Sequence, residues 1–191
     1  MYFLPRYLKR FSDEHPGLDL QLLTCNTQEA VELLREGSVD LAMTEGPDRV
    51  KDLESHVVAQ DEIVLAVLPS HPLAKKHKVT PQDLAALPLV RREHGSGTRA
   101  VVDQALAHYG VRPRTLLEAK GVDAVKEALL QGFGAGLISR LAVEREVEMG
   151  LLVPLPIEAE GFRRSLTVLH PELELCSQAA RNFIAFIKEE R

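Results

Sequence analysis

The chain has 191 residues, of which 45% are hydrophobic and 27% are charged, and this composition predicts one or two packed lobes rather than a disordered protein. The formal net charge of −5 argues against a surface that binds a nucleic-acid backbone, and the absence of Trp argues against a base-stacking platform. No apolar run approaches the ~18 residues needed to span a membrane, and no signal peptide is evident, so we expect a soluble cytoplasmic protein.

The sequence offers no set of residues typical of catalysis or of metal binding. Cys25 and Cys176 are the only cysteines, and they form no CxxC or Cys/His spacing; a reduced setting is the simpler interpretation, with a disulfide between them left open. The histidines show no HExxH or other paired spacing, and Ser96 does not lie in a GxSxG elbow. We therefore predict no metal site, no cofactor and no enzymatic activity.

The first part of the chain predicts a strand–helix–strand unit preceded by a helix. Asn26 with Glu29 three residues later forms a capping box, which marks a helix start. Apolar spacing and turn residues give the remaining bounds. The predicted elements are a helix over 3–13, a strand over 18–23, a helix from Asn26 to Gly37 and a strand over 41–44. Such an order favours a parallel sheet.

The rest of the chain repeats the alternation of strands and helices. The predicted strands or extended runs cover 53–60, 62–68, 88–90, 115–118, 136–138, 151–154 and 165–169. One predicted helix begins after Thr80. The other predicted helices cover 101–109, 122–130, 141–149 and 174–190. A bend at Pro69–Pro72 separates two α/β regions, and the last strand and helix have no third region to join.

We therefore predict an α/β protein with two Rossmann-like lobes joined by two crossover segments. The first lobe would comprise residues 1–67 and 164–191, and the second lobe residues 68–163. Ligands of α/β proteins usually sit in a cleft at the carboxyl ends of strands, so we expect a cleft site between the lobes.

Several segments, taken in order and with their spacing, are similar to a known family. These segments are Tyr2-Phe3-Leu4-Pro5, Phe11 with His15-Pro16, 34–42, His71-Pro72-Leu73-Ala74, 93–99, Val125-Lys126 and 132–136. The whole chain resembles the effector-binding (substrate-binding) domain of LysR-type transcription regulators, which is similar in fold to type 2 periplasmic binding proteins.

The resemblance implies a regulatory domain that binds a small molecule in the interlobe cleft and so controls DNA binding and transcription by the full-length protein. It implies a homodimer or tetramer, in which a first-lobe helix of one subunit lies against a second-lobe helix of its partner. DNA would be bound only through an N-terminal winged helix-turn-helix, which these 191 residues do not include. The strand that usually opens the first lobe is also not evident, so one wall of the pocket is expected to be altered.

The segment Gly95-Ser96-Gly97-Thr98-Arg99 is the strongest candidate for ligand contact. It lies between a predicted strand and a predicted helix, where backbone N–H groups and the helix dipole favour an anion. Hydroxyls of Ser96 and Thr98 can donate hydrogen bonds. The alternative is an ordinary capped turn. The family resemblance favours contact with an effector, and nearby Arg99 favours an anionic one.

Other candidates rest mainly on the family resemblance. Asn26 and Thr27, at the start of the second helix, are candidate effector contacts; the alternative is an N-cap, which we expect at least for Asn26. Thr44 is either ligand-facing or a solvated strand end. Gly121 stands where relatives carry a small polar cap, and its N–H could serve an anion. Cys25, beside this candidate pocket, is expected to be a buried filler rather than a redox switch.

Lys126 is expected to be a solvated or interlobe charge rather than a ligand.

Two other functions stay open at this point. A solute-binding protein of a transporter shares the expected fold, although no signal peptide supports it. An enzyme on the same two-lobe fold, such as a dehydratase or transferase, would need a catalytic constellation that the sequence does not display.

Overall fold

A computed structural model of the chain describes residues 3–45 and 50–189. Tyr2 and Glu190, which belong to predicted segments, lie outside the described residues. The helices are α1 Leu4–Glu14, α2 Thr27–Arg35, α3 Pro81–Ala85, α4 Gly97–His108, α5 Val122–Leu130, α6 Glu144–Glu148 and α7 Gln178–Glu189. The strands are β1 Ala42–Glu45, β2 Glu54–Val67, β3 Pro88–Arg92, β4 Arg114–Ala119, β5 Ala135–Ser139, β6 Val153–Pro156 and β7 Arg163–His170. None of the helices in the described ranges is long and apolar enough to cross a membrane.

The chain divides into two compact units, and the polypeptide passes from one to the other twice. The first unit comprises residues 1–60 and 165–191, and the second comprises residues 61–164. Strands β2 and β7 both begin in one unit and end in the other. The lobe boundaries predicted at 67/68 and 163/164 stay a prediction about the functional division of the protein.

The first unit packs helices on a small sheet. Strand β1 pairs antiparallel with β7, with Ala42 opposite Leu169, and β7 is followed by β2 in the strand order. Helix α2 contributes buried Val31 and Leu34 to a core that includes Ala42 and Leu169. Helix α1 lies on α7 through an edge-to-face contact of Phe11 with Phe183, whose ring centroids are 5.1 Å apart. Phe11, the buried residue of α1, is therefore used for packing within its own unit.

The second unit contains the parallel strands that the alternation predicted. Strand β3 lies between β4 and β5 and pairs parallel with both, whereas β2 pairs antiparallel with β5 and β6. Because β3 and β4 are parallel neighbours, their carboxyl ends share one sheet edge, and helices α4 and α5 begin directly beyond that edge. The fold thus places two helix N-termini next to each other.

The strand predicted over 18–23 is not formed, and that prediction is wrong. The segment is irregular, and Leu20, Leu22 and Leu23 are exposed by 41%, 46% and 57%. It borders a groove of about 400 Å³ that is also lined by Leu41, just before β1, and by Met43 of β1. Alternating apolar residues favour a strand only when a neighbouring strand completes the hydrogen bonds, and no described strand pairs with this segment.

Other elements differ from prediction at their bounds, and three of them change in kind or extent. The runs over 53–60 and 62–68 form one continuous strand, β2. The helix predicted over 141–149 opens with a 3₁₀ turn before α6. Helix α7 begins at Gln178 rather than at 174, because Leu173–Leu175 form a separate 3₁₀ turn and the Ser177 hydroxyl accepts a hydrogen bond from Ala180 N–H at the helix start.

Candidate functional site

The turn between β3 and α4 holds the strongest candidate residues in a capped geometry. Gly95 adopts φ +86°, which a residue with a side chain rarely tolerates, and this lets the chain leave the strand and enter the helix. Ser96 is the N-cap of α4, and its Oγ accepts a hydrogen bond from Arg99 N–H at 3.4 Å. Ser96 and Thr98 are only 3% and 4% exposed. The capped-turn interpretation is therefore confirmed for Ser96, and it leaves open whether the same turn also binds a ligand.

A buried ion pair supports the start of this helix. Arg164 donates from Nη1 to the Thr98 hydroxyl at 2.6 Å and from Nε to an Asp61 carboxylate oxygen at 2.9 Å. The Arg164 and Asp61 side chains are each 1% exposed. This bond fixes the orientation of the Thr98 hydroxyl, a group that can both accept and donate, at the start of α4. Sequence reasoning missed Asp61 and Arg164, which lie 103 positions apart.

Arg99 is held by its own structural partners. Its Nη1 donates to the backbone carbonyl of Arg92 at 3.0 Å and to the Glu118 carboxylate, and its Nε lies 3.5 Å from a carboxylate oxygen of Asp103. These contacts connect α4 to β3 and β4. The charge of Arg99 is thus shared with two carboxylates, and its role towards an effector stays a prediction.

Gly121 begins α5, and its backbone N–H is already engaged. It adopts φ +83° and donates to the Glu93 carboxylate at 3.2 Å. Burial tends to raise the pKa of Glu93, but hydrogen bonds from Arg92 and from the Gly121 N–H, with the Arg92 charge, outweigh burial and lower that pKa. A protein carboxylate therefore occupies the position where the sequence suggested an anionic ligand. Sequence reasoning assigned no such role to Glu93, although its place directly after a strand is a signal for it.

The first-unit candidates form a separate group. The capping box is confirmed: Asn26 Oδ1 accepts from Glu29 N–H at 2.9 Å, and the Glu29 carboxylate accepts from Asn26 N–H at 3.2 Å. Thr27 is the first residue of α2 and is partly buried. Thr44 is 3% exposed and faces Thr167 across the β1–β7 pair, so its interpretation as a solvated strand end is wrong.

Two side chains differ from expectation in their burial. Cys25 is exposed and Cys176 is buried, and the two form no disulfide, so Cys25 is not the buried filler that the sequence suggested. Lys126 is 8% exposed, and its ammonium lies 2.9 Å from a Glu146 carboxylate oxygen within the second unit. It is a buried, paired charge rather than a solvated one, because helix α5 places it beside Glu146 of helix α6.

The structure thus brings together part of the predicted site. In the second unit, residues 95–99 and Gly121 meet at one sheet edge, joined by Glu93, while Thr98 is anchored by Arg164. Among the described residues, one His/Glu group has the proximity needed for a metal ion, and it lies in the first unit.

Comparison with known proteins assigns the family. The model of the LysR substrate binding domain matches residues 1–191. The HTH-type transcriptional regulator YeiE of Escherichia coli K12 is 30% identical over 185 residues, which are 97% of this chain and 63% of that protein. CysL of Bacillus subtilis, also an HTH-type transcriptional regulator, is 30% identical over 98% of this chain and 62% of its own length.

A solved structure gives the same assignment. The regulatory domain of Synechocystis PCC6803 CcmR, in complex with 2-PG, superposes with a TM-score of 0.90 at 25% identity, over 99% of this chain and 91% of that one. The predicted fold class, the type 2 periplasmic-binding-protein-like fold, is confirmed, and the comparisons do not support the transporter alternative. The chain spans somewhat less than two thirds of the regulators that it matches. The protein therefore belongs to the LysR family, and this chain is its substrate-binding, or effector-binding, domain.

Proposed function

We propose that this domain senses a small anion and thereby controls DNA binding and transcription by the full-length regulator. The observation that carries the proposal is the start of helix α4, where the Thr98 hydroxyl is oriented by the buried Arg164–Asp61 pair. A helix N-terminus carries a partial positive charge, and an ordered hydroxyl beside it adds a directional donor. That 2-PG, 2-phosphoglycolate, is bound by CcmR supports an anionic effector of similar size.

The effector contacts that we propose centre on Ser96, Gly97 and Thr98. Ser96 and Thr98 are nearly fully buried, so an effector reaches them only when this part of the surface opens. A ligand that binds one arrangement better than another shifts the population towards it, which is how binding can reach distant DNA-binding segments. Asn26, Thr27 and Thr44 are the corresponding proposed contacts of the first unit. The backbone N–H of Gly121 would contact an effector only if it gave up its hydrogen bond to the Glu93 carboxylate.

We propose that the domain is not an enzyme and that it acts as part of a homodimer or tetramer. Its relatives are transcriptional regulators, and the Ser96 hydroxyl is used to cap α4 rather than paired with a base. Assembly would be measured by sedimentation, and a monomer that persists at high concentration would contradict it.

The test of effector sensing is a thermal-shift screen of the isolated domain with small anions. The panel would include sulfate, phosphate, small carboxylates and 2-phosphoglycolate, each at millimolar concentration. A ligand at 100 times its Kd stabilises the native state by about 2.7 kcal/mol, which gives a clear rise in Tm. Neutral analogues of each hit serve as matched controls. A panel in which no anion raises Tm above its neutral analogue would contradict the proposal.

A further inference from the structure

Two side chains of β2, Glu54 and His56, meet the distant His170 of the neighbouring strand β7 in the first unit. Glu54 and His56 are two positions apart on β2, so they project from the same face of that strand. His170 ends β7, the strand next to β2. One ligand atom from each of the three side chains lies within 4.8 Å of the others. The imidazole rings of His56 and His170 stack with centroids 5.0 Å apart.

The hydrogen bonds of His170 prepare it to bind a cation. Its Nδ1 lies 2.6 Å from the carbonyl oxygen of Pro171, and because a carbonyl only accepts, Nδ1 carries the proton. The neutral ring then has its lone pair on Nε2, which is buried and has no hydrogen-bond partner among the described residues. His170 is 0% exposed, so bulk solvent does not reach that nitrogen. A metal-binding His typically has this arrangement, with the other ring nitrogen donating to a carbonyl.

The rest of the cluster supplies charge and access. The Glu54 carboxylate lies 3.7 Å from His170 Nδ1, the nitrogen that donates to Pro171, so it must move around the ring to reach an ion at Nε2, and its 47% exposure leaves it room to do so. Ligand atoms ~2.1 Å from a tetrahedral zinc are about 3.4 Å from one another, so ligand atoms that lie up to 4.8 Å apart need to close by at most about 1.4 Å. Cys176 is near, but its thiol faces the carbonyl oxygens of Pro171 and Glu172.

We propose that Glu54, His56 and His170 form a binding site for a divalent transition-metal ion, with zinc as the ion of choice. Two imidazoles and one carboxylate are a ligand set that Zn²⁺ accepts, with a fourth position open to water. The ion would join β2 to β7 within the first unit. This site is independent of the anion site proposed for the second unit.

The test is a zinc titration of the domain, with any polyhistidine tag removed, against a chromophoric chelator. We expect one Zn²⁺ per chain with a Kd on the order of 1 μM or lower, and a rise in Tm when zinc is added. His56→Gln and Glu54→Gln should each weaken binding by at least about tenfold, since even the loss of a residue that only supports a ligand costs that much. His77→Gln, which removes an exposed histidine outside the cluster, should leave the affinity unchanged.

Nitrogen spectra of the histidine side chains provide a readout that does not depend on variants. Zinc should shift the Nε2 resonance of His170 and a ring nitrogen of His56, and should leave His77 unshifted. The proposal is overturned if the wild-type domain binds no zinc at tens of micromolar, or if His56→Gln and Glu54→Gln both bind it as tightly as the wild type does.

Discussion

The buried ion pair behind helix α4 makes a quantitative prediction about stability. In Asp61→Ala, the guanidinium of Arg164 stays buried with its partner removed, because both side chains are 1% exposed in the wild type. Removal of one partner from a buried ion pair costs ~3–5 kcal/mol, a large part of the ~5–15 kcal/mol by which a domain is stable. For a chain of this size that corresponds to a fall in Tm of roughly 6–20 °C.

The neighbouring residue provides a matched control. Glu62 forms an ion pair with Arg140 at 2.7 Å, but the two side chains are 31% and 44% exposed. Exposed pairs contribute about 0–1 kcal/mol, so Glu62→Ala should change stability little. The double variant Asp61→Leu with Arg164→Met removes both charges and should recover most of the loss, since apolar replacement of a whole buried pair is often neutral.

Urea unfolding followed by circular dichroism measures all four proteins. The reasoning is refuted if Asp61→Ala loses no more stability than Glu62→Ala does, or if the double variant is less stable than Asp61→Ala. Either result would mean that the Arg164–Asp61 pair does not anchor the start of α4.

Three further predictions concern single positions. Asn26→Ala should lower the free energy of unfolding by ~0.5–2 kcal/mol in a urea titration, because the capping box of α2 is lost. Because the pKa of Glu93 is lowered in the folded protein, its carboxylate stabilises the fold at pH values above its ordinary pKa of 4.5. This contribution is lost as the pH falls below 4.5 through the lowered pKa. The difference in stability between wild type and Glu93→Gln should therefore shrink below pH 4.5. Gly134→Ala should cost more than ~1 kcal/mol in thermal unfolding, because Gly134 has φ +110° and an added Cβ would lie 2.8 Å from the Pro88 carbonyl oxygen.

Local signals in the sequence predicted the helix starts well. Asn26 with Glu29, and Thr80 followed by Pro81, mark the first residues of α2 and α3 because the capping groups and the helix lie within a few positions of each other. The strand predicted over 18–23 does not form, for the opposite reason. Its alternating leucines are compatible with a strand, but a strand needs a partner strand, and that partner is determined by the whole fold rather than by the segment itself.

The candidate site shows the same limit. The turn at Ser96 was found because glycine, hydroxyl residues and a helix start follow one another in the chain. Arg164 and Asp61 were missed because their contact joins positions 103 residues apart, although a charged residue inside an apolar strand is itself a sign of a buried partner. His170 and His56 were missed likewise, since metal-ligand motifs are recognised by short spacing and these two residues meet only through strand pairing.

The most direct test of the account is a calorimetric titration of the tightest anion from the screen, carried out below the melting temperatures of all variants. Ser96→Ala and Thr98→Ala should each weaken binding by ~0.5–2 kcal/mol, which is roughly 2- to 30-fold, and Thr98→Ser should restore it. Thr80→Ala is the matched control, because it removes a helix-capping hydroxyl from α3 in the same unit. We predict weaker binding in the first two variants and unchanged binding in Thr80→Ala. Unchanged affinity in both Ser96→Ala and Thr98→Ala would contradict the central claim and leave this turn as a helix cap alone.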